Sequence, residues 1–208
     1  MSTLTPLPMK KVALVNGVAR QFKYNKVLAQ KYAEIGYVVN EIEFSKVHMF
    51  SHHQRHKLLP QVQDILTNHD VIHCQSGGYF PIIHHFIDQN HGHPFIFETP
   101  VIKSTTGTFF AGAGLSKSYK VKDNALIQKF LDSFCFTPHW KDGTLSKMAT
   151  LKQRGQGLVL ASRADLVSDI EGEEDKFNHV FEKGAHGRLF YENDFGIIKQ
   201  FLEDFKRK

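Results

Sequence analysis

A single stretch, residues 71–79, constrains the fold of this chain more than any other part of it. It reads VIHCQSGGY, and residues 79–87 after it are apolar enough to form a buried helix. A strand, a tight turn and a helix in this order present a serine at the tip of a strained turn. The residues two positions before and after such a serine must be small, because the strand and helix backbones approach closely there. Cys74 and Gly78 occupy these two positions around Ser76.

Strand patterns alternate with helix patterns along most of the chain. The predicted strands are short, largely apolar runs that cover 11–15, 37–44, 71–76, 94–97, 157–162 and 178–182. The predicted helices have apolar residues at helical spacing and cover 24–35, 54–68, 79–87 and 194–205. We expect Gly36 to stop the first helix and Asn193 or Asp194 to cap the last one. This alternation predicts an α/β fold, with a doubly wound, mostly parallel sheet of about six strands and helices on both faces.

The length of 208 residues suits one domain with a sizeable core, so we expect a single domain over 1–208. The segment 99–156 interrupts the alternation, and we interpret it as a lid-like insertion within that domain. It begins with Gly, Ser and Thr at 104–114, continues with a helix from about Asp123, and ends with a polar segment from Trp140 to Arg154. Its aromatic residues either pack this helix onto the sheet or line a pocket, and both interpretations stay open.

Composition excludes several classes of protein. Apolar residues make up 41% and charged residues 23% of the chain, which is typical of a globular protein. No apolar run is long enough to span a bilayer, and the N-terminus lacks the pattern of a signal peptide. The net charge of +5 comes from scattered basic residues without a recognised binding motif, so we expect no nucleic-acid partner. Cys74 and Cys135 lie in apolar settings that favour inert thiols, and we expect a reducing, cytoplasmic location.

Three predicted strand ends carry the residue types that acyl transfer needs. In a parallel sheet, reactive side chains gather at the carboxyl ends of the strands. Ser76 ends the third predicted strand, Asp165 follows the fifth, and His186 follows the sixth. Asp169 is a rival for the acid, and Asp165 has an alternative interpretation as the cap of the turn after it. We favour Asp165 because it is nearer to the end of its strand.

These residues resemble the α/β-hydrolase superfamily. The stretch around Ser76 is similar to its G-x-S-x-G elbow, with cysteine in place of the first glycine. The chain order of serine, acid and histidine and the Gly-Ala-His-Gly segment around His186 also resemble it, and the likeness runs from Lys11 to Phe205. The first antiparallel hairpin of the superfamily is not recognisable in this sequence.

The resemblance implies a catalytic role for each of these residues. Ser76 would be the nucleophile, His186 its general base and Asp165 the acid that orients the histidine. A serine hydroxyl needs a base within hydrogen-bond reach, and imidazole suits this task because its unperturbed pKa is about 6.5. The resemblance also implies two backbone donors for the oxyanion, Gly77 after the nucleophile and Val18 in the loop after the first strand. It implies no cofactor.

The 13 histidines also raise the question of a metal site. His52 and His56 have the spacing of two ligands on one helix face, with His53 between them, but no glutamate completes an H-E-x-x-H motif. His84 and His85 are adjacent on a predicted helix and point about 100° apart, which makes it difficult for them to share one ion. We therefore expect no metal.

The expected activity is cleavage of a small-molecule ester, thioester or lipid through an acyl-enzyme at Ser76. Phe22, Tyr79, Phe109 and Trp140 are our candidates for the lining of an apolar acyl or alcohol site. Two alternatives from other classes stay open. One is a catalytically silent hydrolase-like protein that binds a partner, and the other is a basic, histidine-rich surface that binds anionic lipid.

Overall fold

The computed structural model describes residues 9–17, 21–45, 48, 55–86, 92–100, 139–165, 170 and 172–207, with the side chains of 55, 84–86 and 139–145 left out. The described strands are β1 (Lys10–Val15), β2 (Tyr37–Ile42), β3 (Val71–Gln75), β4 (Phe95–Glu98), β5 (Gly157–Ser162) and β6 (His179–Phe181). The helices are α1 (Phe22–Glu34), α2 (Leu59–Asn68), α3 (Tyr79–Phe86), α4 (His139–Gln153) and α5 (Gly196–Lys206). Short 3₁₀ turns cover Arg55–Leu58, Ser76–Gly78, Glu174–Lys176 and Leu189–Tyr191.

The six strands form one sheet in the order β2-β1-β3-β4-β5-β6, and every neighbouring pair is parallel. This confirms the predicted parallel sheet of about six strands. Because all strands run the same way, their carboxyl ends lie along one edge of the sheet. The loops that begin after these ends therefore share that edge, and they include Ser76, Asp165 and His186.

Helices cover both faces of the sheet, as the alternating pattern predicted. On one face, α1 and α5 pack against Leu14, Ile96 and Leu160. On the other face, α2, α3 and α4 pack against residues such as Ile72 and Phe97. Every residue of β3, β4 and β5 is buried, as expected for central strands of a parallel sheet. Such a core holds the carboxyl edge of the sheet rigidly.

The segment from Trp140 to Arg154 differs from the expectation of a polar segment, because it forms most of α4. Two side chains on the last turns of this helix, Met148 and Leu151, are buried in the core. The sequence pattern did not indicate this helix, because few residues of the helix are apolar. The end of the 99–156 insertion thus packs onto the sheet, and the lid-like role of its earlier part stays a prediction. The helix expected from Asp123 lies outside the described residues.

The ends of the other elements agree closely with the predicted ones. Gly36 follows α1 with a φ of 84°, which suits glycine at a helix stop. Asp194 Oδ1 accepts a hydrogen bond of 3.0 Å from Gly196 N at the start of α5. The second strand is shorter than predicted, since it ends at Ile42. None of the described helices has the length and apolar character needed to cross a membrane.

Candidate active site

Ser76 lies in a tight turn between β3 and α3 with a φ of 50°, in the left-handed region. Few residues other than glycine adopt this conformation, and it places the serine at the tip of the turn. Cys74, two residues before it, is 1% exposed and packs in the core. A Cβ atom on Gly78 would lie 2.5 Å from the carbonyl oxygen of Val15. The turn therefore passes directly against the end of β1, and only a residue without a side chain fits there.

Gly78→Ala should therefore destabilise the protein strongly. The new methyl group would meet backbone atoms of Val15 and Asn16 that cannot move without disturbing the sheet, so we expect a loss of about 3 kcal/mol in the free energy of unfolding. Chemical denaturation measures this loss. Gly77→Ala is the matched control, because among the described residues outside its chain neighbours only Phe80 Cδ2 lies within 4 Å of its Cβ, at 3.9 Å. Equal stability of the two variants would contradict the proposed packing.

The side chains of Ser76, His186 and Asp165 form one hydrogen-bonded chain. His186 Nε2 lies 2.6 Å from Ser76 Oγ, and His186 Nδ1 lies 2.8 Å from Asp165 Oδ2. An ionised carboxylate only accepts hydrogen bonds, so Nδ1 carries the ring proton and Nε2 accepts the serine hydroxyl. The Asp165 side chain is 1% exposed, whereas that of His186 is 18% exposed. The structure thus brings together the three residues that the sequence indicated as catalytic.

The start of the loop that carries Asp165 is hydrogen-bonded to the ends of β5 and β6. Ser162 Oγ accepts a hydrogen bond of 3.0 Å from Ala164 N, and Asp165 N donates to Ser162 O at 3.2 Å. Arg163 N donates to Phe181 O at 2.8 Å. The Arg163 side chain also bonds Glu182 and Glu174, but these exposed pairs contribute little to stability. These backbone contacts support the start of the loop that carries Asp165.

His186 lies in a tight turn from Ala185 to Arg188. Arg188 N donates to Ala185 O at 2.9 Å, which closes the turn. Gly184 and Gly187 flank the histidine with φ values of 117° and 61°. Both values favour glycine, and the two glycines explain how the chain presents the imidazole at the edge of the sheet.

The loop after β1 lies against the nucleophile. A Cβ atom on Gly17 would lie 2.7 Å from Ser76 Cβ and 3.2 Å from Ser76 Oγ. Asn16, just before it, is held by its backbone N–H to Ile42 O at 2.9 Å and by its side-chain oxygen, which accepts from Asn25 Nδ2 at 2.8 Å. Val18, the predicted oxyanion donor in this loop, lies outside the described residues. Gly77, the other predicted donor, is buried directly after Ser76.

The predicted substrate-lining residues have different positions. Phe22 begins α1 and is 61% exposed. Tyr79 is fully buried, stacks on Phe80 and contacts Phe97 edge-on, which is a core environment. Phe109 and the side chain of Trp140 lie outside the described part of the chain, as does Asp169, the rival acid. The roles of these residues in substrate binding and catalysis stay predictions.

Cys74 is a buried free cysteine within the described part of the chain. Burial raises the pKa of the Cys74 thiol well above its usual range, so this group stays protonated and unreactive at neutral pH. No group of three potential metal ligands occurs among the described side chains. His56 is exposed in the turn before α2. His52, His53, Cys135 and the side chains of His84 and His85 lie outside the described residues.

The polar residues at the end of β4 were not among the site residues predicted from the sequence. Glu98 and Thr99 are both fully buried, and both accept hydrogen bonds from the turn that follows His186. A signal was present in the sequence, because two polar residues directly follow the apolar run 94–97. Such a position coincides with the reactive edge of a parallel sheet.

The parallel sheet with these loops along its carboxyl edge has the α/β-hydrolase fold, as the resemblance predicted. Solved structures similar to the chain include the esterase Pf2001 of Pyrococcus furiosus, with a TM-score of 0.59, 13% identity and coverage of 94% of this chain and 82% of that chain. A thioesterase domain from the curacin biosynthetic pathway has a TM-score of 0.57, 10% identity and coverage of 94% and 91%. The monoglyceride lipase of Saccharomyces cerevisiae has a TM-score of 0.53, 13% identity and coverage of 97% and 86%.

Similarity to these solved structures extends to the fold but not to the sequence. No protein-family model matches the chain, and no curated protein matches its sequence. The likeness therefore identifies the architecture, and the chemistry has to be argued from the side chains of this protein.

Proposed function

We propose that this protein is a serine hydrolase that cleaves a carboxylic ester or thioester. The observation that carries the proposal is the position of the His186 ring, 2.6 Å from Ser76 Oγ and 2.8 Å from Asp165 Oδ2. This is the arrangement in which a histidine activates a serine and a carboxylate fixes the tautomer of the histidine. The left-handed conformation of Ser76 supports the same conclusion, since backbone strain of this kind is concentrated at functional sites.

Acylation begins when Ser76 Oγ attacks the carbonyl carbon of the substrate. His186 Nε2 accepts the hydroxyl proton, and Asp165 stabilises the imidazolium that forms. The tetrahedral intermediate collapses, its bond to the alcohol or thiol breaks, and His186 returns the proton to the departing group. Water then attacks the acyl-enzyme, with His186 again taking the proton, and the carboxylic acid leaves.

The negative oxygen of the tetrahedral intermediate requires preorganised donors, each worth on the order of 3 kcal/mol in the transition state. We assign one donor to the N–H of Gly77, directly after the nucleophile. Val18 N–H is the second candidate, by resemblance to the superfamily. The close approach of Gly17 to Ser76 supports this assignment, because it brings the loop after β1 beside the reacting atom.

The chemistry of the Ser76 site and the solved structures with a similar fold both support a class of substrate. An esterase, a thioesterase domain and a monoglyceride lipase are among the solved structures similar to this chain in fold. We therefore propose a small-molecule ester, thioester or lipid as the substrate. Exposed Phe22 is a candidate for the rim of the acyl site, and a cytoplasmic location stays a prediction.

A fluorophosphonate probe tests the proposal directly, because it reacts covalently with an activated serine. We expect the folded wild-type protein to be labelled at Ser76, and Ser76→Ala to remain unlabelled. Heat-denatured wild type is the control for non-specific reaction, and Ser146→Ala, at an exposed serine of α4, is the matched serine control. Absence of labelling in wild type whose fold is verified by circular dichroism would favour the catalytically silent alternative.

A further inference from the structure

The chain that follows His186 is hydrogen-bonded to side chains at the end of β4. Gly187 N donates to Thr99 Oγ1 at 2.6 Å, and Leu189 N donates to Glu98 Oε1 at 2.8 Å. Phe190 N donates to the hydroxyl of Tyr24 at 3.1 Å. All three bonds are buried, and a buried amide that loses its acceptor is costly. Three of the four backbone amides from 187 to 190 are thus held by the side chains of Thr99, Glu98 and Tyr24.

Glu98 is itself fixed by a fully buried network. Its Oε1 also accepts the hydroxyl of Tyr24, and its Oε2 lies 3.0 Å from His73 Nε2. His73 Nδ1 lies 2.9 Å from the Tyr32 hydroxyl. Burial and then the nearby Glu98 charge raise the pKa of Tyr24 and of Tyr32 above the usual range, so Tyr24 stays protonated and donates to the carboxylate. A satisfied buried network of this kind is rigid.

Thr99 supplies an independent observation. Its φ is 46°, and Ser76 is the other non-glycine residue with a positive φ in the described part of the chain. A β-branched residue rarely adopts this conformation, and such strain persists only where surrounding contacts over-determine it. Thr99 is fully buried, and its N–H donates to Leu160 O at 2.8 Å. This conformation places the Thr99 hydroxyl within hydrogen-bond distance of Gly187 N, next to His186.

We infer that Thr99 and Glu98 are positioning residues for His186, which they hold at the Ser76 hydroxyl through the backbone of the turn. The His186 ring bonds only Ser76 and Asp165 among the contacts described, and two glycines with positive φ, Gly184 and Gly187, flank it in the chain. The turn therefore has little rigidity of its own. A displacement of about 1 Å in a catalytic group costs on the order of a hundredfold in rate. The contacts of Thr99 and Glu98 with the chain after His186 are therefore expected to affect the rate. This inference rests on the proposed hydrolase function.

Thr99→Val and Thr99→Ser test the first anchor as a matched pair. Valine keeps the shape and the β-branching but removes the acceptor for Gly187 N, whereas serine keeps the hydroxyl. With a p-nitrophenyl ester as the substrate, we expect Thr99→Val to lower kcat roughly 10- to 100-fold with an unchanged KM, and Thr99→Ser to restore most of the rate. Thr99→Ala replaces the valine variant if that variant does not fold.

Asn178→Ala controls for a general loss of stability. It removes a side-chain acceptor from Val159 N, at 2.8 Å, at the amino end of β6. We expect this variant to lose stability but to keep its kcat. An equal fall in kcat for Asn178→Ala and Thr99→Val would overturn the inference, because the effect would then come from stability alone.

Glu98→Gln tests the second anchor. The amide oxygen can still accept from Leu189 N, but the variant lacks the carboxylate that Tyr24 and His73 share. We expect a fall in kcat of about tenfold at constant KM. A kcat equal to that of wild type would show that Glu98 is not a positioning residue for His186.

Nitrogen NMR of histidine-labelled protein separates this inference from the hydrolase proposal. The ring-nitrogen shifts of His186 report its tautomer and hydrogen bonds without any turnover. We expect one ordered tautomer in wild type and averaged signals in Thr99→Val, with order restored in Thr99→Ser. Unchanged His186 signals in Thr99→Val would overturn the positioning role. Ordered signals that Thr99→Val disrupts, in a wild type that hydrolyses no ester and takes no probe, would support positioning and contradict the hydrolase function.

Discussion

Ser76→Ala and His186→Ala are each expected to lower kcat by about a millionfold, and the double variant is expected to be no slower than either single one. The reason is that the two groups act as one unit. His186 Nε2, 2.6 Å from Ser76 Oγ, has no proton to accept when the hydroxyl is absent, and the hydroxyl is a weak nucleophile without the base. The residual rate comes from the oxyanion donors and from substrate binding.

Single-turnover kinetics with an activated ester measure this effect down to the uncatalysed rate. His56→Ala is the matched control, because His56 is an exposed histidine in the turn before α2 and lies in none of the contacts described for the site. We expect its kcat to equal that of wild type. A double variant slower than both single variants by the product of their effects would show that Ser76 and His186 act independently, which the proposed mechanism forbids.

The strand ends were predictable because a central strand of a parallel sheet is apolar throughout and ends abruptly. Pro94–Phe97 and Gly157–Ser162 stand out for this reason, and the corresponding strands begin or end within one residue of these bounds. Parallel strands have their carboxyl ends at the same edge of a sheet. The prediction of parallel strands therefore placed Ser76, Asp165 and His186 at one edge. Chain order and strand period thus sufficed to indicate three distant residues.

The supports of the site were not predictable, because they depend on contacts between distant parts of the chain. Tyr24 lies on the apolar stripe of α1, and no local pattern shows that its hydroxyl meets Glu98, 74 residues away. Thr99 follows a strand in the manner of an ordinary loop residue, and its positive φ arises only from the packed fold. The helix α4 was missed for a related reason, since its buried contacts rest on a few residues such as Met148 and Leu151.

Asp165→Asn is the second change with a large expected effect. Asparagine has almost the same size, but its amide favours the opposite tautomer of His186, with the proton on Nε2. The ring then has no lone pair for the Ser76 hydroxyl, and we expect kcat to fall about 10⁴-fold with little change in KM. Because the Asp165 side chain is 1% exposed, water does not readily replace the lost carboxylate.

Asp169→Asn is the matched control for this prediction, since Asp169 was the rival candidate for the acid. We expect it to leave kcat unchanged and to leave the ring-nitrogen shifts of His186 as in wild type. In Asp165→Asn, the same NMR measurement should show the proton transferred from Nδ1 to Nε2. If Asp169→Asn instead causes the larger loss, the acid is misassigned, and the 2.8 Å contact between Asp165 and His186 would not be the one that orients the base during turnover.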